Sequence, residues 1–228
     1  MLKKIVCFDL DDTLSKEIEY LKSAYKEIAY IAADQCKVCS DAVSILVDNA
    51  YEEMYSAYKK GENAFERLNV FMGIDVPVKV YLDIYRSHNP QLELSDETTS
   101  TLTTLKDAGY ILGLITDGRS LQQRNKIKAY GLSTYIADEN IVISEEFGSE
   151  KPTLANYEFF MKRYPSSTEF VYVGDNVKKD FLAPNNLGWN TICLLDDGRN
   201  IHKQNFEMPA LYQPKVKITS LKELLNII

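Results

Sequence analysis

The chain has 228 residues, a hydrophobic fraction of 45% and a formal net charge of −7. That length suits one domain with an insertion, or two small domains, with enough apolar residues for a sizeable core. The acidic balance excludes a basic nucleic-acid footprint, so no nucleic acid polymer is expected as a partner. No apolar run is long enough to span a membrane, and the run after Lys3 and Lys4 stops at Asp9, too short for a signal peptide. Cys36 and Cys39 form a lone CxxC in a helical stretch, with no second pair for a zinc site, and read as two small, partly buried residues. Cys7 and Cys193 fall in apolar strand patterns and read as core. This usage fits a reducing compartment, and a cytoplasmic location is expected.

In chain order, Ile5 to Phe8 is an apolar run that favours a short buried strand, and it leads into Asp9-Leu10-Asp11-Asp12-Thr13-Leu14. A strand repeats its faces every two residues, so Asp9 and Asp11 can enter one site at the strand's end. Two adjacent buried carboxylates are costly unless a cation or ligand compensates them. A plainer reading is a polar turn capping a helix through Asp12 or Thr13. From Leu14 the rhythm becomes helical. Leu21, Tyr25, Ile28 and Ala32 recur at helical spacing, as do Val43, Leu46, Val47, Ala50, Met54 and Tyr58. Phe65 to Met72 and Tyr81 to Tyr85 mark two shorter helices, with breaks near Ser40, Gly61 and Gly73. Eight of the 15 tyrosines lie between Tyr20 and Tyr85; Tyr51 and Tyr58 read as members of one apolar stripe and hence as core.

Beyond Pro90, helix and strand alternate. Ser95-Asp96-Glu97 reads as a helix N-cap with an acidic first turn, and that helix ends near Gly109. Tyr110–Ile115 is a strand, Ser120–Tyr130 a helix stopped by Gly131, and Ile141–Ile143 a strand. Thr153–Tyr164 is a helix, Phe170–Val173 a strand, and Lys178–Leu187 a helix. Thr191–Leu195 is a strand and Ser220–Ile227 a closing helix. Repeated βαβ units imply a parallel sheet with helices on both faces and a ligand site at the carboxyl ends of the strands. Those ends carry Asp9 and Asp11, then Thr116-Asp117-Gly118, Lys151-Pro152 and Gly174-Asp175-Asn176.

Such a set suits phosphoryl transfer, which needs a nucleophile, charge neutralisation and a proton for the leaving group. Asp9 can attack phosphorus, and Asp11 can protonate the leaving oxygen and then activate water. Asp9, Asp175 and a backbone carbonyl offer Mg²⁺ the hard oxygen ligands it prefers. Thr116 offers a hydroxyl and Lys151 a point charge to the phosphate. Each also has an ordinary structural reading: Thr116 as a strand end, Lys151 as a solvated lysine, Gly174-Asp175 as a turn. Their common position at strand ends argues for a site.

These motifs, in this order, resemble those of the haloacid dehalogenase superfamily of hydrolases: Asp9-Leu10-Asp11-Asp12-Thr13, Thr116-Asp117-Gly118, Lys151-Pro152, and Gly174-Asp175 with Asp180. The resemblance implies a Rossmann-like, doubly wound parallel α/β core of residues 1–14 and 91–228, with an all-helical cap domain inserted at 15–90. It implies Asp9 as nucleophile and Asp11 as acid–base. It also implies Mg²⁺ bound by Asp9, the Asp11 carbonyl and Asp175, and phosphate held by Thr116, Asp117 and Lys151. Asp180 would orient a metal-bound water or Lys151. Dehalogenation releases halide and needs no proton donor, so an acid at Asp11 points to a phosphatase. Two positions depart from the common pattern, Asp12 for glycine and Asp117 for asparagine; altered loop hydrogen bonding is expected at both.

The expected substrate is a small phosphorylated metabolite, a sugar phosphate or nucleotide, handled by a monomer or homodimer. A cap closing over the rim would hinge at Leu14–Lys16 and His88–Pro90. A phosphomutase built on the same phosphoenzyme, and a non-catalytic phosphometabolite-binding protein, are the alternatives.

Overall fold

The computed structural model describes residues 4–35, 40–165 and 169–228; Cys36 and Cys39 lie outside them. The chain divides into two compact units, Met1–Ile18 with Leu92–Ile228, and Glu19–Gln91.

The larger unit is built on six strands: β1 (Lys4–Phe8), β2 (Ile111–Thr116), β3 (Ile141–Ile143), β4 (Glu169–Gly174), β5 (Asn190–Leu194) and β6 (Val216–Ile218). Every pairing is parallel, in the order β3-β2-β1-β4-β5-β6. β1 is central, with Phe8 opposite Leu114 on one side and Val173 on the other. The strand order reverses across β1, so its carboxyl end opens at the switch point where such folds bind ligands. Alternate residues of β1 serve opposite faces. Val6 and Phe8 pack with Leu112, Leu114, Val171 and Ile192. Ile5 and Cys7 pack with Tyr157, Phe160, Tyr172 and Trp189. Both faces are dry, which is why the strands read as unbroken apolar runs. Burial pushes the Cys7 and Cys193 thiols up, consistent with inert core residues.

The crossovers are α5 (Asp96–Asp107), α6 (Ser120–Ala129), α7 (Ser144–Phe147), α8 (Ala155–Arg163) and α9 (Leu182–Asn186). Ser95 caps α5 by accepting from the Thr98 amide, as its sequence signature requires. Three elements differ from the sequence expectation. The helix expected over 178–187 is only α9; before it, the Asp180 side chain turns back to accept from the amides of Asp175 and Asn176. Pro184 then sits in the first turn of α9, where a missing N–H costs no intrahelical bond. The closing helix is 3₁₀ over Leu221–Asn226, opened by a capping box of Ser220 and Glu223. β6 was not apparent in the sequence: three residues, two of them exposed, give little periodic signal.

The smaller unit is all-helical, drawing on α1 (Glu17–Asp34), α2 (Ser40–Lys59), α3 (Ala64–Met72) and α4 (Val78–Ser87). Its buried centre includes Ala24, Ile28, Ala50, Met54, Ala57, Leu68 and Tyr81. The inward stripe of α2 is therefore Ala50, Met54 and Ala57. Tyr51 and Tyr58, expected as core, are half-buried and form a stacked ladder with Tyr55. No described helix is long and apolar enough to cross a membrane.

Gly113 lies mid-strand in β2, where an added Cβ would meet Phe160 Cε1 at 2.6 Å and Cys7 Sγ at 2.8 Å. Gly113→Ala is expected to destabilise the fold by about 1–3 kcal/mol through overpacking, read as a lower urea midpoint with an unchanged m-value.

Candidate active site

β1 extends by one hydrogen bond, from the Asp9 amide to the Val173 carbonyl at 2.9 Å, which fixes the backbone at Asp9. The chain then tightens into a turn in which the amides of Leu14 and Ser15 donate to the Leu10 carbonyl. All six site residues expected from the sequence, Asp9, Asp11, Thr116, Asp117, Lys151 and Asp175, line one cavity at the carboxyl ends of the strands. Asp12, Glu17, Asn176, Lys179 and His202 complete its wall.

Lys151 is the central cation. It is 5% exposed, and its ammonium lies 2.9 Å from Asp9 Oδ1 and 2.8 Å from Asp180 Oδ1. Tyr172 Oη is 3.2 Å from the same ammonium. Burial alone would lower the Lys151 pKa, but Asp180 and then Asp9 outweigh it and hold the group well above its ordinary value. Asp180 is fully buried with both oxygens committed: Oδ1 accepts from Lys151 and Tyr172, and Oδ2 from the amides of Asp175 and Asn176. Gly174 makes this approach feasible, since a Cβ there would stand 2.4 Å from Asp180 Oδ2.

Asp117 replaces the more common asparagine with two bonds of its own. Oδ1 accepts from the Lys151 amide at 3.0 Å, and Oδ2 accepts from Lys179 at 2.9 Å. The lysine partner offsets the extra negative charge beside the cavity. Gly118, at φ +140°, leaves room for the Gln123 side chain 3.2 Å from where a Cβ would sit. Asp12 takes up φ +58°, the region that favours glycine. Its Oδ1 accepts from the Glu17 amide at 3.0 Å and its Oδ2 from the Ile201 amide at 2.9 Å. Burial raises the Asp12 carboxyl, and those two amides hold it back.

The Ile201 bond belongs to a contact that the sequence reading missed. Residues 196–204 return over the Asp175 side of the site. Asn200 Nδ2 donates to Asp175 Oδ2 at 2.9 Å, and Asn200 Oδ1 accepts from Lys16 at 2.6 Å. Gln204 donates to the Asp175 carbonyl at 2.9 Å. The run from Asp196-Asp197-Gly198 to Gln204 carries no local signal of its target. Gln123 and Lys126 of α6 were missed for another reason: polar residues on a helix ordinarily face solvent, and these two are buried against Asp11.

The donor set fits a hard cation. Carboxylate oxygens of Asp9, Asp175 and Asp180 lie within 4.8 Å of one another. With Asp180 saturated, the ligands left are Asp9, Asp175 and the backbone of the Asp9–Asp11 turn, oxygen donors of the kind Mg²⁺ takes. Burial pushes the Asp9 carboxyl up to about 8 against the pull of Lys151. Burial, reinforced by Asp180 and Asp9, pushes Asp175 up to about 9. Burial disfavours the charged form of both carboxyl groups, and a bound divalent cation would favour it.

Residues 6–194 match the family of haloacid dehalogenase-like hydrolases, and the chain belongs to that family. A glyceraldehyde 3-phosphate phosphatase of Methanocaldococcus jannaschii is 30% identical over 233 residues, covering 100% of this chain and 97% of that protein. One from Methanothermobacter thermautotrophicus is 28% identical over 232 residues, covering 97% of this chain and 99% of its own. Among solved structures, a hydrolase of the superfamily from Bacillus subtilis with bound magnesium has a TM-score of 0.67 at 19% identity, spanning 100% of this chain and 99% of that one. The chain is a phosphatase-type member of the superfamily, an enzyme of the phosphoric monoester hydrolase class.

Asp12→Gly is expected to release the 196–204 segment while leaving the turn intact. Losing a hydrogen bond to a charged acceptor, worth about 1.5–3 kcal/mol, should speed hydrogen exchange of the Ile201 amide roughly 10- to 100-fold.

Proposed function

We propose that the chain is a Mg²⁺-dependent phosphatase that hydrolyses a small phosphorylated metabolite through an aspartyl phosphate on Asp9. The observation that carries this reading is the buried Asp9 carboxylate at the end of β1, held through Oδ1 by the Leu10 amide at 2.8 Å and by Lys151 at 2.9 Å. Both donors fall on Oδ1, so Oδ2 is the oxygen that attacks phosphorus. The bond from Oδ2 to phosphorus forms as the bond to the leaving oxygen breaks, and Asp11 supplies that oxygen's proton. Asp11, now a carboxylate, takes a proton from water as the water oxygen attacks the phosphoaspartate. Inorganic phosphate leaves and Asp9 is regenerated.

Lys151 and the Thr116 hydroxyl donate to the phosphoryl oxygens, and Asp117 contributes through the backbone of its turn and by fixing the Lys151 amide. Asp9, the Asp11 carbonyl and Asp175 would hold Mg²⁺, which would supply the positive charge that lets one anion approach another. The full-length relatives named for glyceraldehyde 3-phosphate favour a short sugar phosphate over a nucleotide. The helical segment 15–90 is assigned the role of a cap that recognises the leaving group.

Phosphate release from a panel of phosphorylated metabolites tests this reading. Glyceraldehyde 3-phosphate is expected among the best substrates. EDTA should abolish turnover and Mg²⁺ restore it. Asp9→Asn should fall to background and lose Mg²⁺-dependent beryllofluoride binding. Full activity in Asp9→Asn would end the mechanism. Isomerisation of a sugar 1-phosphate without phosphate release would replace the phosphatase with a mutase.

Asn200→Ala removes the one side-chain donor on the Asp175 carboxylate among the described residues. It is expected to weaken Mg²⁺ binding by roughly 10-fold or more, the scale seen when a ligand's hydrogen-bond partner is removed, measured by titration calorimetry without substrate.

A further inference from the structure

Helix α6 buries two polar side chains three residues apart on one face. Gln123 and Lys126 are each 1% exposed. Both reach the first motif. Lys126 Nζ lies 2.7 Å from Asp11 Oδ1, and Gln123 Nε2 lies 2.9 Å from Asp11 Oδ2. The Asp11 carboxylate is thus gripped at both oxygens. The same Gln123 amide is 2.7 Å from Thr116 Oγ1 and 2.9 Å from the Asp117 carbonyl. Its own Oε1 is buried without a hydrogen-bond partner among the described residues.

A buried ammonium and an orphaned amide oxygen both oppose folding. Apolar side chains of similar volume often serve a core as well as or better than buried charges. What the two polar groups provide is geometry at reacting groups. Neither lines the cavity, so each acts through a residue that does.

We propose that Gln123 and Lys126 are positioning residues for proton transfer. Together they fix the Asp11 carboxyl group where the leaving oxygen develops charge. By donating to Thr116 Oγ1, Gln123 also turns that hydroxyl's proton toward the phosphoryl group. This rests on Asp11 being the acid–base residue of the proposed reaction. Proton transfer gains from such a group only when it is held in line, because small misplacements cost large factors in rate. Glu17 Oε1 lies 3.9 Å from the same ammonium, so the buried positive charge keeps a second carboxylate nearby.

The test is leaving-group dependence. A phosphoester with a good leaving group, such as p-nitrophenyl phosphate, departs with little help from an acid; an alkyl phosphate does not. In Lys126→Met and in Gln123→Met, kcat/KM for alkyl phosphates should fall about 10²- to 10⁴-fold, the usual reach of general acid catalysis. That for p-nitrophenyl phosphate should fall less than about 10-fold. Beryllofluoride binding at Asp9 should persist in Lys126→Met, and Lys126→Arg should recover part of the alkyl rate. An equal fall across the leaving-group series, or no fall, in both variants overturns the proposal. If Lys126→Met does not fold, the uncharged Gln123→Met series decides. Failure of the underlying reading looks different: the unsubstituted enzyme would show no Mg²⁺-dependent turnover, or Asp9→Asn would retain it.

Discussion

The Lys151 ammonium, buried between Asp9 and Asp180, is the interaction on which the rest of the site depends. Four carboxylates, those of Asp9, Asp12, Asp175 and Asp180, are each no more than 6% exposed at one edge of the sheet. Such a cluster is tolerable only if each member has a partner. Asp180 has four donors, Asp12 has two amides, and Asp9 has Lys151 and the Leu10 amide. Asp175 is left least compensated, with Asn200 as its side-chain donor among the described residues, and burial raises its carboxyl. Compensation is thus thinnest beside Asp9 and Asp175, the two carboxylates assigned to Mg²⁺ in the proposed function.

The glycines and turns at the strand ends follow from that cluster. Asp180 can cap the amides of Asp175 and Asn176 only because Gly174 has no side chain in its path. This same cap keeps residues 177–181 out of α9, so the shortened helix and the buried carboxylate are one feature. Gly118 plays the equivalent part on the other side of β1, where it leaves room for Gln123. Asp12 occupies a glycine-favouring conformation, and its two accepted amide bonds offset that cost while holding residue 201.

The sheet and the strand-end motifs were legible in the sequence because their signals are local. Apolar runs mark β1, β2, β4 and β5, and site residues stand at the ends of the first three of these. What could not be read depends on contacts between distant segments. Asn200 reaches Asp175 across 25 residues, and Ile201 reaches Asp12 across 189. Segment 196–204 also lies beyond the 6–194 span shared with the family, so no motif announced it. Gln123 and Lys126 sit on a helix whose other polar residues give the ordinary signal of a solvated face. The tyrosines of α2 show the converse: Tyr51 and Tyr58 share the helical period, but the tighter packing positions went to Ala50, Met54 and Ala57.

Asp9 and Asp11 first read as a single problem, two like charges forced into one site. The fold separates them. Asp9 pairs with Lys151 at 2.9 Å, on the β4 side of β1, and Asp11 pairs with Lys126 at 2.7 Å, on the helix that follows β2. Each carboxylate thus has its own buried ammonium, delivered by a different crossover. Two residues that share a strand end can then hold different electrostatic environments, which is the condition for giving them different chemical tasks. In the proposed reaction the two lysines, one in the third motif and one outside every motif, would give the nucleophile and its acid–base neighbour separate counterions.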